Sequence, residues 1–225
     1  MGRFLPKIRH LVFHGVGPLP SRPVDAAERP FWSRKDVLAR VIDRMQTDPN
    51  LEISFDDGNL SDLAIAAPML AERGMTATFF VLTGRMGERD FLNREQIRAL
   101  DAMGMTIGSH GINHPRFTTL DDDRLDDELL RSRGVLEDLL GKPVRCFAFP
   151  YGDFDTRTLR RSLQSGYELV YTASGGLASA AMRVVPRTSI EHDTIPDTAL
   201  RLKDRLISGL RNHARLAKYG VLRLA

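Results

Sequence analysis

Two short clusters of polar residues carry the side chains that could do chemistry in this chain. Asp56 and Asp57 are adjacent carboxylates that directly follow a short apolar run. His110 and His114 are four residues apart and directly follow a second apolar run. Adjacent carboxylates are costly to bury without a positive group beside them. Because two imidazoles at this spacing can also point at one ion, the two clusters together predict a divalent metal site.

Each cluster also has an ordinary structural interpretation. Asp57 and Gly58 form a common turn pair, and two histidines four residues apart can both lie on the surface. The metal interpretation is favoured because each cluster leaves the carboxyl end of a predicted strand. Those ends form the active-site face of parallel α/β folds.

The composition of the predicted site points to hydrolysis. One carboxylate and two imidazoles leave coordination positions open, which is typical of catalytic rather than structural metal sites. The same set also serves non-haem iron oxygenases. The second carboxylate argues against an oxygenase, because a hydrolase needs a base for the attacking water. The spacing leaves open which aspartate binds the ion.

The elements that must position these residues alternate along the chain. The predicted strands are His10–His14, Leu51–Phe55, Thr76–Leu82, Met105–Ser109, Arg145–Phe149, Glu168–Thr172 and Arg183–Thr188. The predicted helices are Arg34–Gln46, Asp62–Arg73, Arg94–Met103, Asp122–Leu140, Thr156–Gln164 and, at the basic carboxyl end, Asp197–Ala217. Such alternation predicts a parallel sheet covered by helices. Seven strands in one series favour a single barrel-like domain over residues 1–225, with an open doubly wound sheet as the alternative.

Residues typical of helix caps occur at the ends of several predicted helices. Ser33 with Asp36 and Asn93 with Gln96 fit capping boxes. Glycines that can adopt a left-handed conformation follow four predicted helices, at Gly74, Gly104, Gly141 and Gly166.

Composition bounds the remaining possibilities. The formal net charge of +3 does not favour a nucleic-acid partner, and the single cysteine, Cys146, excludes an internal disulfide. No run approaches the roughly 20 apolar residues of a membrane span or the core of a signal peptide. We therefore expect a cytoplasmic protein without a membrane span and leave its oligomeric state open. The predicted helix from about Asp197 is basic; a packed helix with a charged outer face is favoured over a surface for an anionic polysaccharide or membrane.

Three motifs, taken in order, resemble those of the polysaccharide deacetylases with a NodB homology domain (carbohydrate esterase family 4). The first family motif, Thr-Phe-Asp-Asp-Gly, resembles Ser54–Gly58. The resemblance implies that Asp56 is the general base and Asp57 a metal ligand. The His-x-x-x-His motif matches His110 and His114, which it implies are the other two ligands.

The third motif ends Pro-Tyr-Gly and is matched by residues 150–152. The resemblance implies that the Tyr151 N–H helps to form an oxyanion hole. It also implies a distorted (β/α)7 barrel of the polysaccharide deacetylase type and one divalent metal ion. Zn²⁺ is the first expectation, with Ni²⁺, Co²⁺, Mn²⁺ and Fe²⁺ also suited to such ligands.

The activity implied is removal of acetyl groups from an N-acetylated sugar polymer or a sugar-linked precursor, so the expected partner is an acetylated carbohydrate. Two alternatives stay open. One is a hydrolase of the same fold that acts on another linear amide or an O-acetyl ester. The other is a non-catalytic carbohydrate-binding module with a decayed site.

The chain departs from the family pattern in several places. Ala148 stands where the family often has the arginine that orients the catalytic aspartate, and Gly111 stands where Ser or Thr is usual. The fourth motif is missing, since the only tryptophan is Trp32, far upstream. The nearest match to the fifth motif, which supplies the general acid, ends at His192.

Two other residues could fill these gaps. His14 ends the first predicted strand and should face the same mouth, so the general acid is either His192 or His14. Arg187 ends the last predicted strand and could pair with Asp56 in place of the missing arginine. As an alternative, His14 is a hydrogen-bonded strand-end residue and Arg187 is an ordinary surface residue.

Overall fold

Apolar runs rich in strand-forming residues form eight strands in the computed structural model, which describes residues 7–179 and 181–191. The strands are β1 (Lys7–Phe13), β2 (Leu51–Phe55), β3 (Thr78–Val81), β4 (Thr106–Ser109), β5 (Cys146–Ala148), β6 (Leu169–Thr172), β7 (Ala178–Ser179) and β8 (Val184–Ser189). All seven predicted strands are present and differ from the prediction only at their ends. The two-residue strand β7 was not predicted.

Seven of the strands close into a parallel barrel. The strand order runs β2-β3-β4-β5-β6-β8-β1, and β1 pairs in parallel with both β2 and β8. Strand β7 lies outside this ring and pairs antiparallel with the start of β1. The predicted (β/α)7 barrel is therefore confirmed, and the open doubly wound sheet is wrong.

Helices cover the outside of the barrel. They are α1 (Lys35–Thr47), α2 (Ala67–Ala71), α3 (Arg94–Ala102), α4 (Asp122–Asp126), α5 (Ser132–Leu140) and α6 (Thr156–Gln164). Two π-helical segments, Asp62–Ala66 and Asp127–Arg131, lead into α2 and α5. Short 3-10 turns occur at Arg29–Phe31, Thr83–Arg85, Phe117–Thr119 and Pro150–Gly152. A π turn inserts one extra residue into a helix and is often found at functional sites.

Most of the predicted helix ends are confirmed. Asn93 caps α3 by accepting from the Gln96 N–H, and the Gln96 side chain accepts from the Asn93 N–H. The four glycines predicted to follow helices all have positive φ.

The capping box predicted at Ser33 and Asp36 is wrong. Helix α1 begins at Lys35, and its N-cap, Arg34, makes no side-chain cap. The Ser33 backbone is instead engaged in a bridge to the loop after β1, where its N–H donates to the Gly15 carbonyl. Tertiary pairing therefore overrides the local capping signal.

Alternation along the strands divides the apolar side chains into two layers. One layer, which includes Phe55, Phe79 and Phe147, lies between the barrel and its helices. The second, smaller layer fills the barrel and includes Phe80 and Tyr171. Burying a side chain of this size stabilises the fold by about 1.5–3 kcal/mol, so both layers hold the strand ends in place.

Part of the prediction lies outside the described residues. This applies to the basic helix from Asp197 and to His192. In the described part of the chain, no helix is long and apolar enough to cross a membrane.

Candidate active site

A cleft of about 330 Å³ opens at the carboxyl ends of the barrel strands. It is lined by Val12, His14, Asp25, Ala27, Glu28, Phe31, Asp56, Asp57, Arg85, His114, Arg116, Tyr151, Gly152, Ala173 and Ser189. The cleft therefore collects the residues that follow β1, β2, β4 and β5. A second cleft of about 400 Å³ includes Glu52 and Thr78, near the amino ends of β2 and β3, and contains none of the predicted site residues.

Asp57, His110 and His114 converge in the described structure. Each offers one donor atom, and the three atoms lie within 4.8 Å of one another. Asp57 Oδ1 lies 3.6 Å from His110 Nε2 and 3.5 Å from His114 Nε2. Two donors bound to one tetrahedral Zn²⁺ at about 2.0–2.2 Å are about 3.3–3.6 Å apart. The spacing therefore fits a divalent ion.

The surroundings of these donors also fit a cation. Asp57 Oδ1 is buried and has no hydrogen-bond partner among the described residues. An uncompensated buried carboxylate oxygen is costly, and a metal ion would remove that cost. The His110 Nδ1–H donates to the Ala148 carbonyl at 2.8 Å, which leaves the Nε2 lone pair available to bind an ion.

Burial keeps both histidines in the form that binds metal. It lowers the pKa of His110, and it lowers the pKa of His114 to about 4, although the nearby carboxylates act in the opposite direction. Both imidazoles are therefore neutral near pH 7 even without an ion. The His114 ring also packs against Tyr151, with 4.4 Å between ring centroids.

Backbone strain is concentrated at the same place. Among the described residues, four non-glycine residues have positive φ, and three of them are Asp57 (77°), His114 (58°) and Tyr151 (59°). Such conformations cost roughly 1–3 kcal/mol each and tend to cluster at functional sites. Gly152 follows Tyr151, and a Cβ at Gly152 would lie 2.5 Å from the Ala173 backbone nitrogen, so only glycine fits this turn.

Asp56 lies beside the three donors and is paired with Arg187. The Arg187 Nη1 and Nη2 atoms donate to the two carboxylate oxygens of Asp56, each at 2.7 Å. Both residues are buried, with exposed fractions of 4% and 1%. Burial alone would raise the pKa of Asp56, but Arg187 and His110 outweigh it and hold this pKa at about 2. Asp56 is therefore ionised at neutral pH.

Arg187 is held from several sides inside the barrel. Its Nη1 also donates to Ser54 Oγ at 2.9 Å, and its Nε donates to the Thr172 carbonyl at 3.3 Å. The guanidinium lies over the rings of Phe80 and Tyr171, at 5.1 and 5.6 Å from their centroids. It therefore lies between the apolar side chains that fill the barrel and Asp56, which lines the cleft. Ala148 stands on β5 where the resembled family often has an arginine, and in this chain Asp56 is bound by an arginine on β8.

The remaining predicted site residues are His14, Tyr151 and His192. His14 lines the cleft with its ring 5.1 Å from Phe31, and its Nδ1 has no hydrogen-bond partner in the described structure. Tyr151 is exposed at the mouth of the cleft. His192 lies outside the described residues, so the structure does not relate it to the site.

Several cleft residues were missed by the sequence reasoning. Asp25, Glu28 and Phe31 form one wall and belong to the long segment after β1. Arg22 fixes this wall by binding the Glu28 carboxylate and donating to Asn59 Oδ1 at 3.0 Å. The position of these residues could have been predicted, because a long loop that follows a barrel strand must lie on the carboxyl face. The contact between Arg22 and Asn59 could not be predicted, because the two residues are 37 positions apart in sequence.

Comparisons with known proteins agree with this geometry. The sequence profile of the polysaccharide deacetylase family matches residues 43–170, more than half of the chain. Chitin deacetylase 1 of Cryptococcus neoformans is 32% identical over 115 residues, which cover 51% of this chain and 23% of that protein. The chitooligosaccharide deacetylase of Rhizobium leguminosarum is 27% identical over 125 residues, covering 55% and 56%. The chain thus spans about half or less of the length of these relatives.

Solved structures show the same fold. The deacetylase PplD of Streptococcus pyogenes, solved with acetate, superposes with a TM-score of 0.76 at 22% identity and covers 87% of this chain and 97% of that one. IcaB of Ammonifex degensii gives a TM-score of 0.72 at 23% identity, covering 86% and 96%. The family profile, the barrel and the cluster at its carboxyl face together establish that this chain belongs to the polysaccharide deacetylase family.

Proposed function

We propose that this chain is a metal-dependent deacetylase that hydrolyses the N-acetyl group of a sugar polymer or a sugar-linked precursor. The observation that carries the proposal is the convergence of Asp57, His110 and His114 beside the ionised pair of Asp56 and Arg187. A site that combines open metal positions with an adjacent base has what amide hydrolysis needs.

Asp57, His110 and His114 would hold the ion, and we take Zn²⁺ as the first ion to test. When bound, a divalent ion supplies Lewis-acid chemistry: it lowers the pKa of water towards neutrality and polarises a carbonyl oxygen. The remaining steps fall to side chains and backbone groups of this chain.

Asp56 is proposed as the general base. As water attacks the acetyl carbonyl carbon, one Asp56 oxygen takes the proton of that water. Arg187 fixes the direction of the carboxylate and keeps it ionised beforehand. Each oxygen keeps a lone pair, because a carboxylate offers about four acceptor positions and Arg187 uses two. The low pKa makes Asp56 a weak base at rest, so its contribution comes mainly from position.

The Tyr151 N–H is proposed to donate to the oxyanion that forms on the acetyl carbonyl oxygen. Removing one such donor typically costs about 3–4 kcal/mol in activation free energy. The C–N bond then breaks, and the departing nitrogen takes a proton from a general acid, which gives acetate and a free amine. His14 is the candidate within the cleft, and His192 is the candidate outside the described residues.

The substrate class rests on the family and on the activities for which its members are named. Relatives named for chitin, chitooligosaccharide and peptidoglycan N-acetylglucosamine deacetylation all act on N-acetylated sugars. Because the chain spans about half or less of the first two relatives, the polymer itself is part of the proposal.

The test combines metal analysis with acetate release. The purified protein would be assayed with Zn²⁺ or Co²⁺ on chitin oligomers, acetylated glucosamine polymers and acetylated xylan. We expect stoichiometric metal and acetate release from an N-acetylated substrate. Asp56→Asn should keep the metal and lose about 10²–10⁴-fold in kcat, whereas His114→Ala should lose both metal and turnover.

Other outcomes would assign the protein to another activity. Acetate release from xylan alone would identify an O-acetyl esterase. Absence of bound metal and of acetate release after metal addition would favour the alternative of a non-catalytic carbohydrate-binding module. Near-normal activity in Asp56→Asn would remove Asp56 from the role of base.

A further inference from the structure

The loop between the two metal-binding histidines has an unusual set of hydrogen-bond partners. The Gly111 N–H donates to Ser109 Oγ at 3.1 Å. The Ile112 N–H donates to Glu128 Oε2 at 2.5 Å, and the Asn113 N–H lies 3.3 Å from both Glu128 oxygens. The Asn113 side-chain amide also donates to Glu128 Oε1 at 3.3 Å. All three backbone N–H groups between the histidines are therefore bound, two of them by one carboxylate.

Glu128 reaches this loop from a π turn. It lies in the segment Asp127–Arg131, between Leu125 and Leu129 on the buried face of the helix, with an exposed fraction of 6%. No Lys, Arg or His lies within ion-pair distance of Glu128 in the described part of the chain. Its charge is therefore stabilised by N–H groups alone, in the manner of an anion held by successive backbone donors.

The carboxylate occupies the space that a side chain at Gly111 would need. A Cβ placed on Gly111 would lie 2.8 Å from Glu128 Oε2, and Gly111 has a φ of +86°. This is the position at which the resembled motif usually carries Ser or Thr. In this chain glycine stands at that position, and the Glu128 carboxylate packs against it.

The loop is strained at its far end. His114 has a φ of 58°, so its backbone is held against a local preference. A free loop would relax towards commoner conformations and would carry His114 Nε2 away from Asp57 Oδ1. Because Glu128 binds the two N–H groups just before His114, it opposes that relaxation.

We propose that Glu128 is a positioning residue of the metal centre, fixing the loop between His110 and His114 and thereby the separation of their two ligand atoms. The inference rests on the metal site of the proposed function. Glu128 touches neither the ion nor the substrate in this scheme. Its effect is on metal affinity and ligand geometry.

The experiment compares three variants of the whole 225-residue chain, prepared without metal. Glu128→Ala removes the carboxylate, Glu128→Gln keeps one acceptor oxygen at nearly the same volume, and Asp127→Asn removes an exposed carboxylate one residue earlier. Co²⁺ affinity would be measured by competition with a chromophoric chelator. Ligand geometry would be followed in the Co²⁺ absorption spectrum, and folding by circular dichroism.

We expect Glu128→Ala to bind Co²⁺ about 10–100-fold more weakly, the usual effect of removing a residue that supports a metal ligand. Glu128→Gln should lose less, and Asp127→Asn should match the wild type. The Co²⁺ spectrum should change most in Glu128→Ala, less in Glu128→Gln and not at all in Asp127→Asn. If the alanine variant does not fold, a weaker affinity and an altered spectrum in Glu128→Gln carry the test.

Unchanged affinity and spectrum in the folded variants would overturn the inference. So would an equal loss in Glu128→Gln and Asp127→Asn, since that would reflect general charge rather than the loop contact. Failure of the proposed function is distinguishable, because in that case the wild-type protein itself would bind no Co²⁺.

Discussion

Arg187 binds both carboxylate oxygens of Asp56 through separate guanidinium nitrogens, each at 2.7 Å. Asp56 directly follows β2 and Arg187 lies on β8, the two strands that flank β1, and both side chains are buried. Breaking a buried pair of this kind is expensive, because one charge is left without its counter-ion. Orientation of the proposed base and stability of the barrel therefore depend on the same contact.

Replacing Arg187 should damage both properties. We expect Arg187→Met to lower the free energy of unfolding by about 3–5 kcal/mol and to reduce acetate release strongly. Urea unfolding and initial rates would measure these two effects. An exposed arginine on the same barrel, Arg131, offers a matched control, and Arg131→Met should alter neither quantity by more than about 0.5 kcal/mol.

An arginine at position 148, where the family pattern often has one, should also be able to bind Asp56. Ala148 points into the barrel interior that Arg187 partly fills. Combining Ala148→Arg with Arg187→Met should recover part of the activity lost in Arg187→Met alone. Ala148→Arg by itself should be destabilising, because two guanidinium groups would then share one buried space. Equal activity in the double variant and in Arg187→Met would show that the two positions are not equivalent.

The general acid can be assigned by changing the leaving group. If His14 protonates the departing amine, His14→Gln should lower kcat on an N-acetylated substrate by about 10²–10⁴-fold. Hydrolysis of 4-nitrophenyl acetate should fall much less, because its leaving group departs without a proton. His192→Gln is the parallel experiment, and the variant that shows this selective loss identifies the acid. A similar loss on both substrates would instead indicate a role for that residue in shaping the site.

Buried His10 should make the metal-free protein sensitive to acid. Burial, with a further contribution from Arg187, lowers the pKa of His10 to about 4 from an ordinary value of 6.5. Glu52 lies 3.5 Å away but is half exposed, so water screens its opposing effect. Between these two pKa values the unfolded chain binds the proton and the folded one does not, so stability is lost as pH falls through this window.

Titration of His10 should lower the free energy of unfolding by about 3 kcal/mol when the pH reaches 4. His10→Gln should flatten this part of the curve, and the difference between variant and wild type isolates His10 from the other titrating groups. Urea unfolding at pH 7 and at pH 4.5 would measure it. Parallel curves for the two proteins would contradict the assignment.

Metal binding should stabilise the fold through the three ligands. A ligand present at about 1,000 times its Kd adds about 4 kcal/mol to the free energy of unfolding. We therefore expect a chelator to lower the Tm of the wild-type protein and to leave the Tm of His114→Ala nearly unchanged. Thermal unfolding followed by circular dichroism measures both. A chelator effect of equal size in His114→Ala would place the stabilising ion elsewhere.

Much of the fold could be predicted because the barrel strands are short runs of mostly buried residues, and several of them, including β1, β2 and β4, end at or just before a polar residue. The cluster of Asp57, His110 and His114 could be predicted for the same reason, since the Asp56–Asp57 pair and His110 come immediately after strand ends. The capping signal at Ser33 failed because a backbone bridge to the loop after β1 competes with it. Local propensity is a weak guide wherever such tertiary pairing is available.

The residue that supports the loop of the site, Glu128, was harder to predict from the sequence. A helical pattern predicts Asp122–Leu140 as one helix, but it does not reveal the extra residue of the π turn that contains Glu128. One signal was present: Glu128 falls among Leu125, Leu129 and Ser132 on the face that should be apolar. A charged residue on such a face normally has a buried partner. The identity of that partner, however, required coordinates.

The closed barrel also has a consequence for how the site comes into being. Asp56 and Arg187 are 131 residues apart in sequence, and β8 joins the ring only through β6 and β1. During synthesis, strand β2 emerges long before its counter-ion does. Until β8 docks, an Asp56 enclosed by the other strands would favour its neutral form. Completion of the ring and ionisation of the proposed base therefore coincide, so we expect a partly assembled barrel to lack the proposed activity.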